Sequence, residues 1–148
     1  EDVGTSPLAQ EAQIVKNAKK LGVLVAGVAA QRFGAKLERE QEVLINIANI
    51  ANEIFAMESA LLRTQKAIER DGVEKSAQKI LYTEIFVQEA FERIEKEAKD
   101  TVLGALEGDQ AKMTLSAFRK LLRSNPHNLI AKRREAAAKL IEAERYIV

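Results

Sequence analysis

His127 has the clearest capacity for acid–base or metal chemistry in this 148-residue sequence, and it is the only histidine. The chain has no cysteine, so it holds no disulfide, no thiolate zinc site and no cysteine nucleophile. A di-iron centre of a helical bundle takes a Glu-x-x-His motif from each of two helices, which a single histidine excludes. Mechanisms that need paired histidines are excluded for the same reason. We expect no catalytic, cofactor-binding or metal-binding residue in this chain.

Glu58 is the most interesting single carboxylate, because it lies among the apolar residues of a long predicted helix. One interpretation makes it a general base that its apolar surroundings activate. The other pairs it with an arginine or lysine of a neighbouring helix, or turns it toward a partner outside the chain. We favour the second interpretation, since structural ion pairs are common on helix bundles.

Basic residues concentrate near the end of the chain, although the net charge is only +1. Residues 1–111 hold fourteen Lys and Arg against nineteen Asp and Glu, whereas residues 112–148 hold nine against three. Residues 112–148 could contact nucleic acid, an anionic membrane or an acidic protein. Alternatively, their Lys and Arg side chains could simply form the solvent-exposed faces of the terminal helices. No aromatic residues are interleaved to stack on bases, so we expect no nucleic-acid binding. The candidate phosphate-contacting residues are Arg119, Lys120, Arg123, Lys132, Arg133 and Arg134.

The composition favours helices as the elements that position these side chains. Hydrophobic residues make up 47% of the chain, with only 7 glycines and 2 prolines. Ser6-Pro7 and Asn125-Pro126 each resemble a helix start, with a capping side chain before a proline. We predict an all-α fold, a helical bundle of three long and two shorter helices. The predicted helices span about 8–33, 36–70, 73–106, 110–123 and 126–146, and residues 1–7 form a flexible linker.

The second predicted helix is apolar around most of its circumference. Its three- and four-residue spacing predicts a helix with an apolar stripe, and Ile45, Ile50 and Met57 fall outside the stripe, so the apolar sector is wide. Such a helix is either central in a bundle or covered by something outside the chain. The stripe consists of Leu44, Ile47, Ala48, Ala51, Ile54, Phe55, Leu61 and Leu62.

The longest apolar run, residues 21–30, is too short to span a bilayer, which takes about 20 residues. It could form bundle core, or it could lie at a membrane interface between flanking cations. We favour the core. The flanking cations are Lys16, Lys19, Lys20 and Arg32. The chain begins with Glu1 and has no secretory signal pattern, so we expect a piece of a longer cytoplasmic protein.

Two stretches carry a resemblance to a known family. Residues 51–63, Ala-Asn-Glu-Ile-Phe-Ala-Met-Glu-Ser-Ala-Leu-Leu-Arg, follow Glu40-Gln41 and resemble the last domain of very-long-chain-type acyl-CoA dehydrogenases. Residues 124–134, Ser-Asn-Pro-His-Asn-Leu-Ile-Ala-Lys-Arg-Arg, and the later Ala143-Glu-Arg-Tyr146 resemble the C-terminal end of bacterial members. The likeness spans residues 8–148 and consists of helical packing patterns.

The resemblance implies a non-catalytic C-terminal domain of an FAD-dependent oxidoreductase of fatty acid β-oxidation. In such enzymes, FAD, substrate and the catalytic carboxylate are held by preceding domains, so no family catalytic residue maps onto this chain. The resemblance also implies docking on the catalytic domains of the same polypeptide, a homo-oligomer, and membrane association in some members. The alternative is a free-standing helical interaction module whose basic C-terminal helices bind an acidic protein partner or an anionic membrane.

Overall fold

The computed structural model describes residues 6–148, which form five α-helices and one 3-10 helix and contain no strand. The predicted all-α bundle of three long and two shorter helices is therefore confirmed. Residues 1–5 of the predicted linker lie outside the described residues. The α-helices are α1 (Ala9–Phe33), α2 (Gln41–Asp71), α3 (Ala77–Ala105), α4 (Gly108–Leu121) and α5 (Leu129–Ala143).

The three long helices form an up-down-up bundle around one core. Neighbouring long helices are antiparallel. Between α2 and α3, for example, Asn49 binds Glu97, whereas Thr64, later in α2, binds Thr83, earlier in α3. Side chains of α2 pack closely against α1 at Gly22, where an added Cβ would lie 2.9 Å from Cδ1 of Ile54. Gly22 therefore permits close contact between the two helices. The fully buried centre includes Leu21, Val25, Met57, Val87 and Ile94.

Two predicted helix starts are wrong in detail. Residues Gly34–Arg39 form a 3-10 helix, and Glu40 leaves helical geometry (φ −89°, ψ 71°), so α2 begins at Gln41 and not near Lys36. The last helix does not begin at Asn125-Pro126. Its N-cap is Asn128, whose Oδ1 accepts the backbone N–H of Ala131 at 3.0 Å.

The other boundaries differ by a few residues. The first helix begins at Ala9, and Ser6 precedes it with its Oγ accepting the Leu8 backbone N–H at 3.4 Å. A turn with a 3.2 Å bond from the Ser76 N–H to the Gly72 carbonyl delays α3 to Ala77. The shorter helices end earlier than predicted, α4 at Leu121 and α5 at Ala143.

The apolar stripe predicted on α2 is only partly buried, with Leu61 in the core. Ile50 and Met57, which fall outside the predicted stripe, are buried in the core. Phe55 and Leu62, which belong to it, are 74% and 53% exposed. The physical reason is that α2 is apolar on most sides, so periodicity alone does not determine which face meets α1 and α3. On α5 as well, the large apolar residues Ile130 and Ile141 are exposed, whereas Ala136 is buried.

Candidate functional site

A buried charged network joins the connection between α4 and α5 to α1 and α3. Glu11 of α1 is only 2% exposed, although it is a carboxylate, and its Oε1 lies 2.7 Å from Nε2 of His127. The backbone N–H of His127 donates to Oε1 of Gln88 on α3 at 2.6 Å. Gln10 donates from Nε2 to the carbonyl of Asn125 at 2.8 Å. These contacts fix the segment before α5 on the bundle.

The same network contains a second carboxylate, Glu84 of α3. Lys132 of α5 binds it, with 2.5 Å between Nζ and Oε2. One ligand atom each of Glu11, Glu84 and His127 lie within 4.8 Å of one another, a donor set that could hold a metal ion. However, the imidazole already meets one carboxylate and the ammonium the other. Pairing within the chain therefore accounts for the arrangement, and its role is structural.

Sequence reasoning missed this network and placed His127 two residues inside the last helix, which is wrong because α5 begins at Leu129. His127 lies 116 residues from Glu11, so no local pattern connects them. One signal was available. Glu11 lies three residues after the fully buried Leu8 and three before the buried Ile14, so its side chain must point toward the core.

The predicted basic cluster is split by the fold. Lys132 and Arg133 bind Glu84 and Glu89 of α3, so their charges are paired within the domain. The remaining members are exposed and have no ion-pair partner among residues 6–148: Arg119, Lys120, Arg123 and Arg134. The pairing on α3 weakens the case for an acidic partner or a phosphate backbone that binds this cluster as a whole.

Glu58 forms an ion pair with Lys19 of the neighbouring helix α1. This contact is the one that the ion-pair interpretation of Glu58 predicts. A comparable surface pair links α2 to α3, where Oε1 of Glu53 accepts from Nε of Arg93 at 2.6 Å. That hydrogen bond raises the pKa of Arg93 and keeps its guanidinium charged. The polar edges of the bundle thus connect helices that are already in contact.

The outward side of α2 presents a continuous apolar surface. Phe55 is the most exposed of its large side chains, and Ile45 and Leu62 are also more than half exposed. The exposed Ala48 and Ala51 lie between them at three- and four-residue spacing. We call Ile45, Ala48, Ala51, Phe55 and Leu62 the α2 outer face. No described residue covers these side chains, and such a surface marks a docking site more often than free solvent contact.

A second apolar area lies on α1. Val23 is 73% exposed, and it lines a surface depression with Leu24, Leu121 and the apolar parts of Lys19 and Lys20. Val25, only two residues along, is fully buried. The run 21–30 is therefore divided between bundle core and surface, because consecutive residues of a helix point in different directions. In the described part of the chain, no helix is long and apolar enough to cross a membrane.

Comparison with known proteins identifies the domain. Residues 17–120 match the family model described as the C-terminal domain of acyl-CoA dehydrogenase. All 148 residues are 55% identical to a Bacillus subtilis (strain 168) protein named "Probable acyl-CoA dehydrogenase". The match covers 100% of this chain and 25% of that protein.

A solved structure shares the fold. The crystal structure of an acyl-CoA dehydrogenase complexed with FAD from Bacillus anthracis superposes with a TM-score of 0.95 at 54% sequence identity. The aligned region is 99% of this chain and 26% of that one, so the chain spans about a quarter of the relatives it matches. The family model covers more than half of the chain, and the sequence therefore belongs to the C-terminal domain family of the acyl-CoA dehydrogenases.

Proposed function

We propose that this chain is the non-catalytic C-terminal domain of an FAD-dependent acyl-CoA dehydrogenase of fatty acid β-oxidation. FAD is present in the Bacillus anthracis relative, of which this chain matches 26%. The flavin and the reacting acyl-CoA would be bound by the part of the polypeptide outside these 148 residues. The domain would then act in the cytoplasm with its parent enzyme. That the parent belongs to the very-long-chain group stays a prediction.

The role that we propose is docking, and the observation that carries it is the α2 outer face. Burial of apolar surface contributes about 25 cal/mol per Å², so a face centred on Phe55 is expected to be covered in the complete enzyme. The occupant that we propose is the remainder of the same polypeptide. About three quarters of the length of the relatives lies outside this chain, and that remainder is covalently tethered to it. Its contribution would be to hold or orient the catalytic part and to stabilise a homo-oligomer.

A substitution on the α2 outer face of the complete enzyme tests this role. We expect Phe55→Asp to lower the Tm of the complete enzyme by several degrees and to reduce FAD retention, because the docked face would acquire a buried charge. Leu103→Asp is the control and should retain Tm and flavin content, since Leu103 is also an exposed apolar residue (51%, against 74% for Phe55) but lies on α3. Equal Tm and flavin content in Phe55→Asp and the unsubstituted enzyme would refute docking through this face.

Peripheral membrane contact is a second candidate function, which the exposed Val23 and Leu24 favour. Two exposed apolar side chains close to Lys20, which has no ion-pair partner among residues 6–148, have the chemistry of an interfacial anchor for anionic lipid. We expect the chain to pellet with vesicles that contain phosphatidylserine, and Val23→Asp to abolish the pelleting. Absence of lipid-dependent pelleting in the unsubstituted chain would remove this candidate and leave docking through α2 untouched.

A further inference from the structure

A cavity of about 370 Å³ lies between α2, α3 and the end of the described chain. Its walls combine cations, hydroxyl groups and aromatic rings with Val148, the last residue of the sequence, and no Asp or Glu side chain lines it. The lining residues that matter here are Arg63, Thr64, Lys79, Tyr82, Thr83 and Phe86. Pockets that combine apolar walls with a few convergent polar groups are typical of small-molecule sites.

The floor of the cavity has a hydroxyl proton without an acceptor. Thr64 and Thr83 are both buried, and their Oγ1 atoms are 2.7 Å apart. One hydroxyl donates to the other, so this bond uses one of the two protons. Neither hydroxyl makes another hydrogen bond among residues 6–148. The second proton is therefore available to a ligand, and a buried donor left unpaired costs about 1–3 kcal/mol.

The rim of the cavity adds further donors. The Tyr82 hydroxyl accepts a hydrogen bond from Nε2 of Gln78 at 2.8 Å, while its own proton finds only the carbonyl of Ile147, at 3.5 Å. Arg63 and Lys79 have no ion-pair partner within 4.0 Å in the described part of the chain. Two cations, a phenol and a threonine thus line one cavity that has no Asp or Glu side chain.

We propose that this cavity binds an organic anion with an apolar body, of the class of alkyl carboxylates. The carboxylate would accept from Lys79 and Arg63, since hydrogen bonds between ionised partners are about twice as strong as neutral ones. The alkyl part would lie against Phe86 and the Tyr82 ring. This site is separate from the α2 outer face, and nothing in the docking role requires it.

The two tyrosines of the chain make a direct assay available. The sequence has no tryptophan, and Tyr146 is the only tyrosine besides Tyr82. In a Tyr146→Phe background, the tyrosine fluorescence of the 148-residue chain therefore reports on Tyr82 alone. The probe is sodium decanoate, titrated below its critical micelle concentration, with decanol as the uncharged analogue.

We expect a saturable change in fluorescence with decanoate and at least about tenfold weaker binding of decanol, which lacks the charge. Lys79→Met should weaken decanoate binding at least about fivefold, because one of the two cations is lost. Lys99→Met is the control, since Lys99 is an exposed lysine twenty residues and about 30 Å further along α3 than Lys79. This variant should bind decanoate with the affinity of the parent chain. Circular dichroism verifies that both variants keep their helices.

Three results would overturn the proposal. The first is a fluorescence change that rises linearly with decanoate and never saturates. The second is equal affinity for decanol and decanoate, which would show that charge recognition plays no part. The third is equal affinity of Lys79→Met and Lys99→Met in folded protein, which would show that the binding site lies elsewhere.

Discussion

The surface of α3 that contacts α5 and the α2 outer face belong to the same bundle, but they differ in whether the chain itself supplies partners for their side chains. Glu84 and Glu89 of α3 bind Lys132 and Arg133 of α5. Glu11 of α1 binds His127, which lies just before α5. On α2, Phe55 and its apolar neighbours have no cover from the described residues. Charges here find partners within the chain, while a large apolar face does not.

This difference separates structural from functional surface. A charged group at the surface can be satisfied by water, so its pairing within the chain indicates a role in holding α5. An exposed apolar face gains free energy only when another surface removes it from water. The comparison therefore favours internal stability as the role of the basic C-terminal helix, and it supports the proposal that the α2 outer face contacts the rest of the polypeptide.

The largest effect on stability is expected from His127→Ala. Removing the imidazole leaves the buried Glu11 side chain without its 2.7 Å hydrogen-bond partner, and a buried polar group left unpaired costs about 1–3 kcal/mol. Urea unfolding of the 148-residue chain measures the change. Arg134→Ala is the control and should lie within about 0.5 kcal/mol of the parent, since its side chain is exposed. A loss below about 1 kcal/mol in His127→Ala would show that α5 is held by other contacts.

A smaller effect is expected for the pair of Lys132 and Glu84. In a double-mutant cycle with Lys132→Met and Glu84→Gln, we expect a coupling of about 1 kcal/mol, because both side chains are at least three-quarters buried. The exposed pair Lys96–Asp100 is the comparison and should couple by only a few tenths of a kcal/mol after solvent screening. Equal coupling energies in the two pairs would contradict the structural role given to α5.

The smallest effect is expected on the α2 outer face of the isolated chain. Phe55→Ser should leave the free energy of unfolding within about 0.5 kcal/mol, because Phe55 is already in water. It should also reduce any concentration-dependent association in sedimentation, since self-association would bury this face. A destabilisation of several kcal/mol in Phe55→Ser would show that Phe55 is part of the core. If the unsubstituted chain is a strict monomer at high concentration, the case for self-association through the α2 outer face is weakened.

Local sequence signals predicted the elements better than the way they pack. Phe33-Gly34 ends the first helix as expected, because Gly34 takes a positive φ of 53° that glycine tolerates. The sequence could not decide between Phe55 and Met57 as the buried residue of α2, since apolar residues surround that helix. The pairing of Glu11 with His127 was out of reach because it joins residues 116 apart. Only the fold brings that pair together.

Hydroxyl-radical footprinting tests the docking claim most directly, because it measures side-chain accessibility in the intact protein. The oxidation rate of Phe55 is compared between the 148-residue chain and the complete polypeptide, with the buried Phe91 as an internal reference. We predict that Phe55 is oxidised rapidly in the isolated chain and at least about tenfold more slowly, close to Phe91, in the complete enzyme. The same rapid oxidation of Phe55 in both proteins would contradict docking through the α2 outer face.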